Sequence, residues 1–419
     1  MHHPETDDTR HKRLALYDNL FERKWDADRL LSFLLGQPRN SRADWFVFCD
    51  FNYLWPYADK LRAAGYQGLL PTKTDFDLEK DRRLAKKLIA QRYPVITIGE
   101  YKEFKKIADG LKFLKDNQDA LFVLKGFYEE ASTVVPESDD PKINRMILED
   151  ALTREKKEYE REGFVLEEKI PDLIEFTPEA ISAFGQIVGV NVDIEHKIIG
   201  SRHGYLSGCT LDLVMWQNEN DELYKKFLAP LEGLMLRENE ISVWDLSILY
   251  SPENGKFYPG EFCSNRPGYN ALYTEISTLP SVTDYIERLF HAEHLEKEDT
   301  QPIGVSARIF DLTGEARREQ LMIADIADPN IWAWDIQKQD GKLRTTALDR
   351  NTMIVTGAGG TVDQAITALY DNLENVHYDS GFNLERRDWY DVEFPENILH
   401  RLKVLTDKGV IQPQKKKLA

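Results

Sequence analysis

The sequence predicts a multidomain protein assembled from α/β and α+β units. Three observations carry that reading. Strand-like apolar runs alternate with helical spacing as far as Gly163, the text then becomes strand-rich, and a helix with a charged linker at 281–302 precedes a fresh strand–helix pattern. With 419 residues and 42% hydrophobic content, the chain has enough apolar material for two or three compact units.

Taken in order, residues 42–50 (RADWFVFCD) read as a strand and 56–65 (PYADKLRAAG) as a helix closed by Gly65. This short β-α unit is followed by a turn-rich stretch through Pro71. From Asp75 to Arg92 the apolar spacing suits one amphipathic helix, stopped by Pro94. Residues 95–98 (VITI) read as a strand, 101–117 as a helix and 121–125 (LFVLK) as a buried strand. The small, acidic stretch from Gly126 to Asp140 reads as a mobile loop, and 144–163 as a charged surface helix. Strands follow in FVLEEKI, EFTPEAISAFG and IVGVNVDIEHKII, then a glycine-containing loop at 200–208 and a helix near 221–237. The strands ISVWDLSILYS and GKFYPGEFCS are joined by PENG, a hairpin turn. Beyond the linker, 303–395 reads as a separate α+β unit. The expected divisions are a short N-terminal α/β unit at 1–75, a core at 76–300 with a lid subdomain at about 95–168, a C-terminal α+β domain at 301–400, and a basic tail at 401–419.

Composition narrows the function. A charge of −18 leaves basic residues only in short runs, RRLAKK at 82–87 and KKK at 415–417, so nucleic acid is not expected as the main partner. No run approaches the ~20 apolar residues that cross a bilayer. The polar start MHHPETDDTRHKR lacks the apolar segment of a secretory signal. Cys49, Cys209 and Cys263 lie far apart, with neither a disulfide framework nor zinc spacing. A cytoplasmic location is the expectation.

Four segments carry candidate chemistry. Lys125 closes an apolar strand beside a loop holding Ser132 and Thr133, which places an ammonium and hydroxyl donors for a nucleotide phosphate. In VLEEKIPDLIEF (165–176), Glu167, Glu168, Lys169 and Ile170 form a hinge along which a base can lie, with Glu175 accepting ribose hydroxyls. Lys197 leaves a strand before a loop with glycines and Ser207. In FYPGEFCSNRPG (257–268), Glu261 and Asn265 offer hard oxygens for Mg²⁺, and Arg266 suits a carboxylate or phosphate. A solvated strand end or an acidic turn would account for each segment alone. Their order is the chain order of an ATP-grasp fold, in which two α+β subdomains close on a nucleotide.

Here the sequence resembles phosphoribosylamine–glycine ligase. The family's D-H-K-R segment resembles Glu195-His196-Lys197-Ile198, and its G-P-N-T-G-G loop resembles Gly204 to Cys209. Its V-I-E-E-F-L hinge resembles Val165 to Ile170, with Glu175 at the acid that follows. Its E-F-N-x-R-x-G segment resembles Glu261 to Gly268 with one residue extra, and its nucleotide-reaching helix lysine corresponds to Lys86. Towards the end, Asp349-Arg350, NTMIVTGAGG, Thr361 to Ala365, Tyr370 and Arg386-Arg387-Asp388-Trp389 follow the family's order over roughly residues 66–395. The family's opening G-x-G turn is missing, since residues 1–65 contain only Gly36 and Gly65; Leu206 replaces the loop asparagine.

The resemblance implies an ATP-grasp core and an ADP-forming ligase of purine biosynthesis, joining glycine to phosphoribosylamine through an acyl phosphate. It implies ATP with Mg²⁺, or Mn²⁺ in its place, and a monomer or homodimer. Lys197 and Arg266 take the catalytic roles. Lys86, Lys125, Ser132, Thr133, Glu167 to Ile170 and Glu175 hold the nucleotide, and Glu261 and Asn265 hold the metal. The alternatives are a glycine-like carboxylate joined to another amine, a peptide or modified nucleobase, and a non-catalytic descendant.

Overall fold

Capping residues and strand pairing decide where the elements of this chain begin and end. The computed structural model describes residues 27–44, 46–48, 55–128, 133–199, 205–265, 267–268, 270–311, 321–334, 336–345, 351–378, 382–384 and 397–412. First come α1 (Ala27–Gly36), β1 (Phe46–Phe48), α2 (Trp55–Ala63) and β2 (Gln67–Leu69). The single helix expected over 75–92 is two, α3 (Lys73–Lys80) and α4 (Arg82–Arg92). Asp81 divides them as the N-cap of α4, its carboxylate accepting from the Arg83 N–H at 3.0 Å. The expected strand 95–98 reduces to one bridge from Ile96 to Phe257, after a turn at Pro94. The expected helix 101–117 opens instead as β3 (Tyr101–Phe104) before α5 (Ile107–Asp116), because strand pairing overrides its helical spacing.

β4 (Phe122–Gly126) leads to α6 (Pro141–Arg154), capped by Asp140 with Pro141 in the first turn, and α7 (Lys156–Glu162). These two replace one helix at 144–163; the chain leaves helical geometry at Glu155 and turns out of α7 at Gly163, whose φ is +93°. β5 (Phe164–Glu168), β6 (Ile174–Ala183), β7 (Gln186–Ile199) and β8 (Tyr205–Trp216) follow, so half of the expected loop 200–208 is strand. Then come α8 (Glu222–Phe227), α9 (Glu232–Met235) and the hairpin β9 (Ile241–Tyr250) with β10 (Phe257–Ser264). The rest comprises α10 (Ala271–Thr278), α11 (Val282–Phe290), β11 (Ile303–Asp311), β12 (Leu321–Ile323), β13 (Ile331–Ala333), β14 (Ile336–Gln339), β15 (Lys342–Thr345), β16 (Asn351–Gly359), α12 (Val362–Leu373), β17 (His377–Tyr378), β18 (Phe382–Leu384) and α13 (Ile398–Asp407). α13 occupies the first residues of the expected tail.

Contacts divide the chain into two bodies that cut across the segments drawn from sequence. The smaller joins Thr74–Glu175 to Leu246–Phe262. Its antiparallel sheet, β3-β5-β4, has one face buried on α5, α6 and α7 through Leu114, Leu124, Leu148, Leu152 and Phe164. Gly110 permits that closeness, since a Cβ there would lie 2.6 Å from the Phe164 ring.

The larger body joins Met1–Lys73, Phe176–Asp245 and Cys263–Ala419. Its main sheet runs β1-β2-β9-β6-β7-β8-β11-β16-β13, parallel between β1, β2 and β9 and antiparallel from β6 through β16. Because β11 pairs with β8, Val305 opposite Leu213, the segment expected to stand apart from residue 301 continues this sheet. Trp216, Ile276, Leu289, Leu295 and Ile354 belong to its core. Cys209 and Cys263 are free thiols, and Cys49 lies outside the described residues. Among the described residues no helix is long and apolar enough to cross a membrane.

Candidate active site

Side chains alternate along a strand, so β5 sends Phe164 and Leu166 to the helices and Val165 and Glu167 to the other face. On that face Lys125 lies opposite Val165, and Tyr101 lies opposite Glu167. α4 supplies a fourth side chain. It is fastened by Arg82, whose Nη1 donates to the Gly126 carbonyl at 2.8 Å, and by the Arg83 guanidinium, 4.5 Å above the Phe127 ring. One turn beyond Arg82, Lys86 donates to Glu167 Oε1, while Lys125 Nζ stands 3.1 Å from Oε2. The Lys86 ammonium also lies 4.4 Å above the Tyr101 ring.

Burial sets the electrostatics of this group. It pulls the Lys86 ammonium below its ordinary pKa, and the Glu167 charge offsets that only partly. Burial alone would raise the Glu167 carboxyl, but Lys125 and Lys86 outweigh it and hold the group below the usual carboxylate range. The cluster is thus a charged carboxylate between two ammoniums, net +1, on a face not covered by the helices that bury the other.

The remaining expected nucleotide residues are placed less uniformly. Glu168 is exposed on the opposite face from Glu167, with its N–H donated to the Glu100 carbonyl. Lys169 turns to the loop: its ammonium donates to the carbonyls of Pro136 at 2.7 Å and Ser138 at 3.3 Å and to Asp139 Oδ1 at 2.9 Å. Ile170 is half-buried and Thr133 exposed, while Ser132 lies outside the described residues. Val134 pairs with Leu124 in both directions, so the expected mobile loop is strapped to β4 at this point. Glu175 accepts from the Ser247 hydroxyl at 2.5 Å. Glu261, also in this body, is exposed on β10.

In the larger body, Lys197 pairs with the Glu195 carboxylate at 3.2 Å. Asn265 is fully buried with φ +56°, its Oδ1 accepting from the Val243 N–H at 3.4 Å. Arg266, Arg350, Arg386 and Arg387 lie outside the described residues.

Sequence reasoning missed a buried carboxylate set in this body. The Asn191 Nδ2 donates to Glu179 at 2.9 Å and Glu275 at 2.6 Å, and those two carboxyls also bond each other. Asp193 and Asp212 form a second bonded pair, with Thr274 donating to Asp212 at 3.1 Å. Burial raises all four carboxyls, Asp212 to about 7, and close acids, Glu195 among them, add to the rise at Asp193 and Asp212. Two acids sharing a site cannot both ionise cheaply, so each pair retains a proton. On alternating strands these residues read as solvent-facing polar positions; no sequence signal marks them as inward. Tyr101 and Ser247 were also missed, though each lies opposite or near a residue that was named.

No family model matches the chain, and no curated protein matches it. Solved structures do. Phosphoribosylamine–glycine ligase from Thermotoga maritima superposes with a TM-score of 0.57 at 15% identity, over 76% of this chain and 80% of that one. The biotin carboxylase domain of 2-oxoglutarate carboxylase from Hydrogenobacter thermophilus, a dimer solved with Mg-ADP and bicarbonate, gives 0.57 at 13% identity over 90% and 85%. Biotin carboxylase from Campylobacter jejuni, solved with a β,γ-ATP ligand, gives 0.55 at 13% over 84% and 81%. The chain has the fold these proteins share, the ATP-grasp fold.

Proposed function

We propose that this chain is an ATP-dependent carboxylate–amine ligase that activates its carboxylate as an acyl phosphate. The observation that carries the reading is the Lys86–Glu167–Lys125 cluster beside Tyr101. An ammonium next to a carboxylate presents one donor and one acceptor. Adenine offers the complement along a single edge, where N7 accepts and the N6 amino group donates, whereas guanine offers two acceptors there. Lys125 and Glu167 therefore suit adenine, and Lys86 suits the phosphates. Glu175 would exchange the Ser247 hydroxyl for those of the ribose, like for like.

Among the described residues no three His, Cys, Asp or Glu side chains gather into a metal cage. Mg²⁺ does not need one, since it is commonly held by one or two carboxylates together with substrate phosphates. The exposed Glu261 carboxylate fits that use; in the larger body Asn265 offers an amide oxygen that now accepts from the Val243 N–H. Mn²⁺ accepts the same hard oxygens. The ion would offset charge on the transferred phosphoryl group. Lys197 and Arg266 would hold the carboxylate for in-line attack, and an amine then displaces phosphate before water enters.

Glycine, or a similar small amino acid, is the proposed carboxylate, with phosphoribosylamine as the amine. A second reading, in which the amine has changed, is favoured by the absence of glycine between Gly36 and Gly65. A sugar phosphate would be gripped there by a glycine turn at a helix N-terminus. Phosphate release is recorded with Mg-ATP, glycine and freshly generated phosphoribosylamine. Turnover of ~1–10³ s⁻¹ establishes the first reading. Turnover with a peptide or nucleobase amine in its place establishes the second, and no release with any pair removes the ligase reading. Glu261→Gln is expected to abolish release while the melting temperature stays within ~3 °C, because it removes an ion ligand and no packing.

A further inference from the structure

β7 outruns its partner on one side before it reaches Lys197. The β6–β7 register runs from Ala183 opposite Gln186 to Thr177 opposite Asp193, and Glu195 lies two residues further on. A strand carbonyl beyond the end of a ladder still needs a donor. Here the donor comes from the far end of the chain: Arg401 Nη1 donates to the Glu195 carbonyl at 2.8 Å. On the other side the Thr210 hydroxyl donates to the His196 carbonyl at 2.9 Å. Between His196 and Ile198 the β7–β8 register shifts: Lys197 alone stands against residues 207–210, so β8 bulges and Lys197 faces the bulge. A bulge interrupts the ladder locally, so the residue that faces it keeps its direction only if its own flanking backbone is pinned from elsewhere. Both carbonyls that precede Lys197 are pinned by side chains.

α13 is built to present that guanidinium steadily. The Asn397 side chain caps its N-terminus by accepting from the Leu399 N–H at 2.8 Å, and Arg401 sits one turn inside the cap. Ile398 and Leu405 are buried, and Gly409 ends the helix at φ +69°.

We infer that Arg401 is a positioning residue for Lys197: by holding the Glu195 carbonyl it fixes the β7 backbone that aims the Lys197 ammonium where the ladder to β8 is interrupted. The inference rests on the ligase reading, in which Lys197 meets the substrate carboxylate.

The test uses the full chain. In Arg401→Met, kcat falls by about 10²-fold, the scale of a ~1 Å misplacement, while KM for ATP stays within about twofold. Arg401→Lys recovers part of the loss, since its ammonium still donates to the carbonyl. A second measurement needs no turnover: competitive acetylation of lysines, read by mass spectrometry across pH. In Arg401→Met the labelling rate of Lys197 shifts severalfold while Lys86 and Lys125 keep theirs. Unchanged kcat with unchanged Lys197 labelling overturns the inference. So does a loss of kcat that tracks a lowered melting temperature and that Arg401→Lys does not recover. If the wild-type chain releases no phosphate with any substrate pair, the ligase reading fails, and the Lys197 labelling still decides the role of Arg401.

Discussion

Lys125→Met lowers kcat/KM for ATP by about 10–10²-fold, the loss expected when one charged donor to the base is removed. The fold should tolerate the change. Lys125 is partly open to solvent, methionine matches its stem, and Glu167 keeps Lys86 as a partner. Wild-type protein is expected to prefer ATP to GTP by about 5–150-fold, the 1–3 kcal/mol of one matched donor–acceptor pair. In Lys125→Met that preference persists, because N7 accepts in both bases and the variant keeps the Glu167 carboxylate, which tells the adenine amino group from the guanine O6. Steady-state kinetics with both nucleotides, beside a thermal melt, measure the three quantities together. Retained ATP turnover in Lys125→Met would remove the cluster from the nucleotide site.

The buried carboxyl pairs make stability fall as pH rises. A group whose folded pKa lies above its unfolded value favours the folded state below the unfolded pKa, and that advantage is lost as pH climbs through the folded one. For Asp212 the window runs from about 4, the usual aspartate value, to about 7. A shift of that size corresponds to roughly 4 kcal/mol for an isolated group, and sharing of the proton with Asp193 makes this an order of magnitude for the pair. Asp193, Glu179 and Glu275 shift in the same direction, with Glu195, Cys209 and Arg308 as charged or titratable neighbours. Thermal melts should therefore give a higher midpoint at pH 5 than at pH 8. Asp212→Asn keeps a donor towards Asp193 and cannot ionise, so it should melt above wild type at pH 8 and flatten the pH dependence. Parallel curves for the two proteins would show that the pair does not hold a shared proton.

The parts of this site that could be read in the sequence are those whose neighbours are local. Lys125 and Glu167 were visible because each follows a short apolar run, and the alternation of side chains along any strand fixes the face each charge occupies. Asp81 was visible as well: an aspartate ahead of a helical run is a capping signal, and weighing it would have divided α3 from α4. The strand at Tyr101–Phe104 was hidden, since its spacing also suits a helix and only pairing with β5 decides between them. The carboxylates at Glu179, Asp193, Asp212 and Glu275 were hidden because a polar residue on a strand is assigned to solvent unless its partner is known, and these partners come from three strands and a helix. Lys169 was misplaced for a related reason. The carbonyls of 136 and 138, some thirty residues earlier, claim its ammonium. The C-terminal boundary failed because a charged linker looks like the edge of a domain even where the next strand joins the sheet already begun.

The bond from Arg401 to Glu195 spans 206 positions of sequence. At synthesis rates of about 5–20 residues per second, roughly 10–40 s separate the emergence of the carbonyl from that of its donor. The smaller body has all of its residues out of the ribosome well before then, whereas the strand that carries Lys197 waits for a helix made some 200 residues later. A truncated or unfinished chain can therefore display a complete Lys86–Glu167–Lys125 cluster while the second lysine still lacks its support. On the proposed ligase reading, chains cut before α13 would engage nucleotide before they are fit to turn it over.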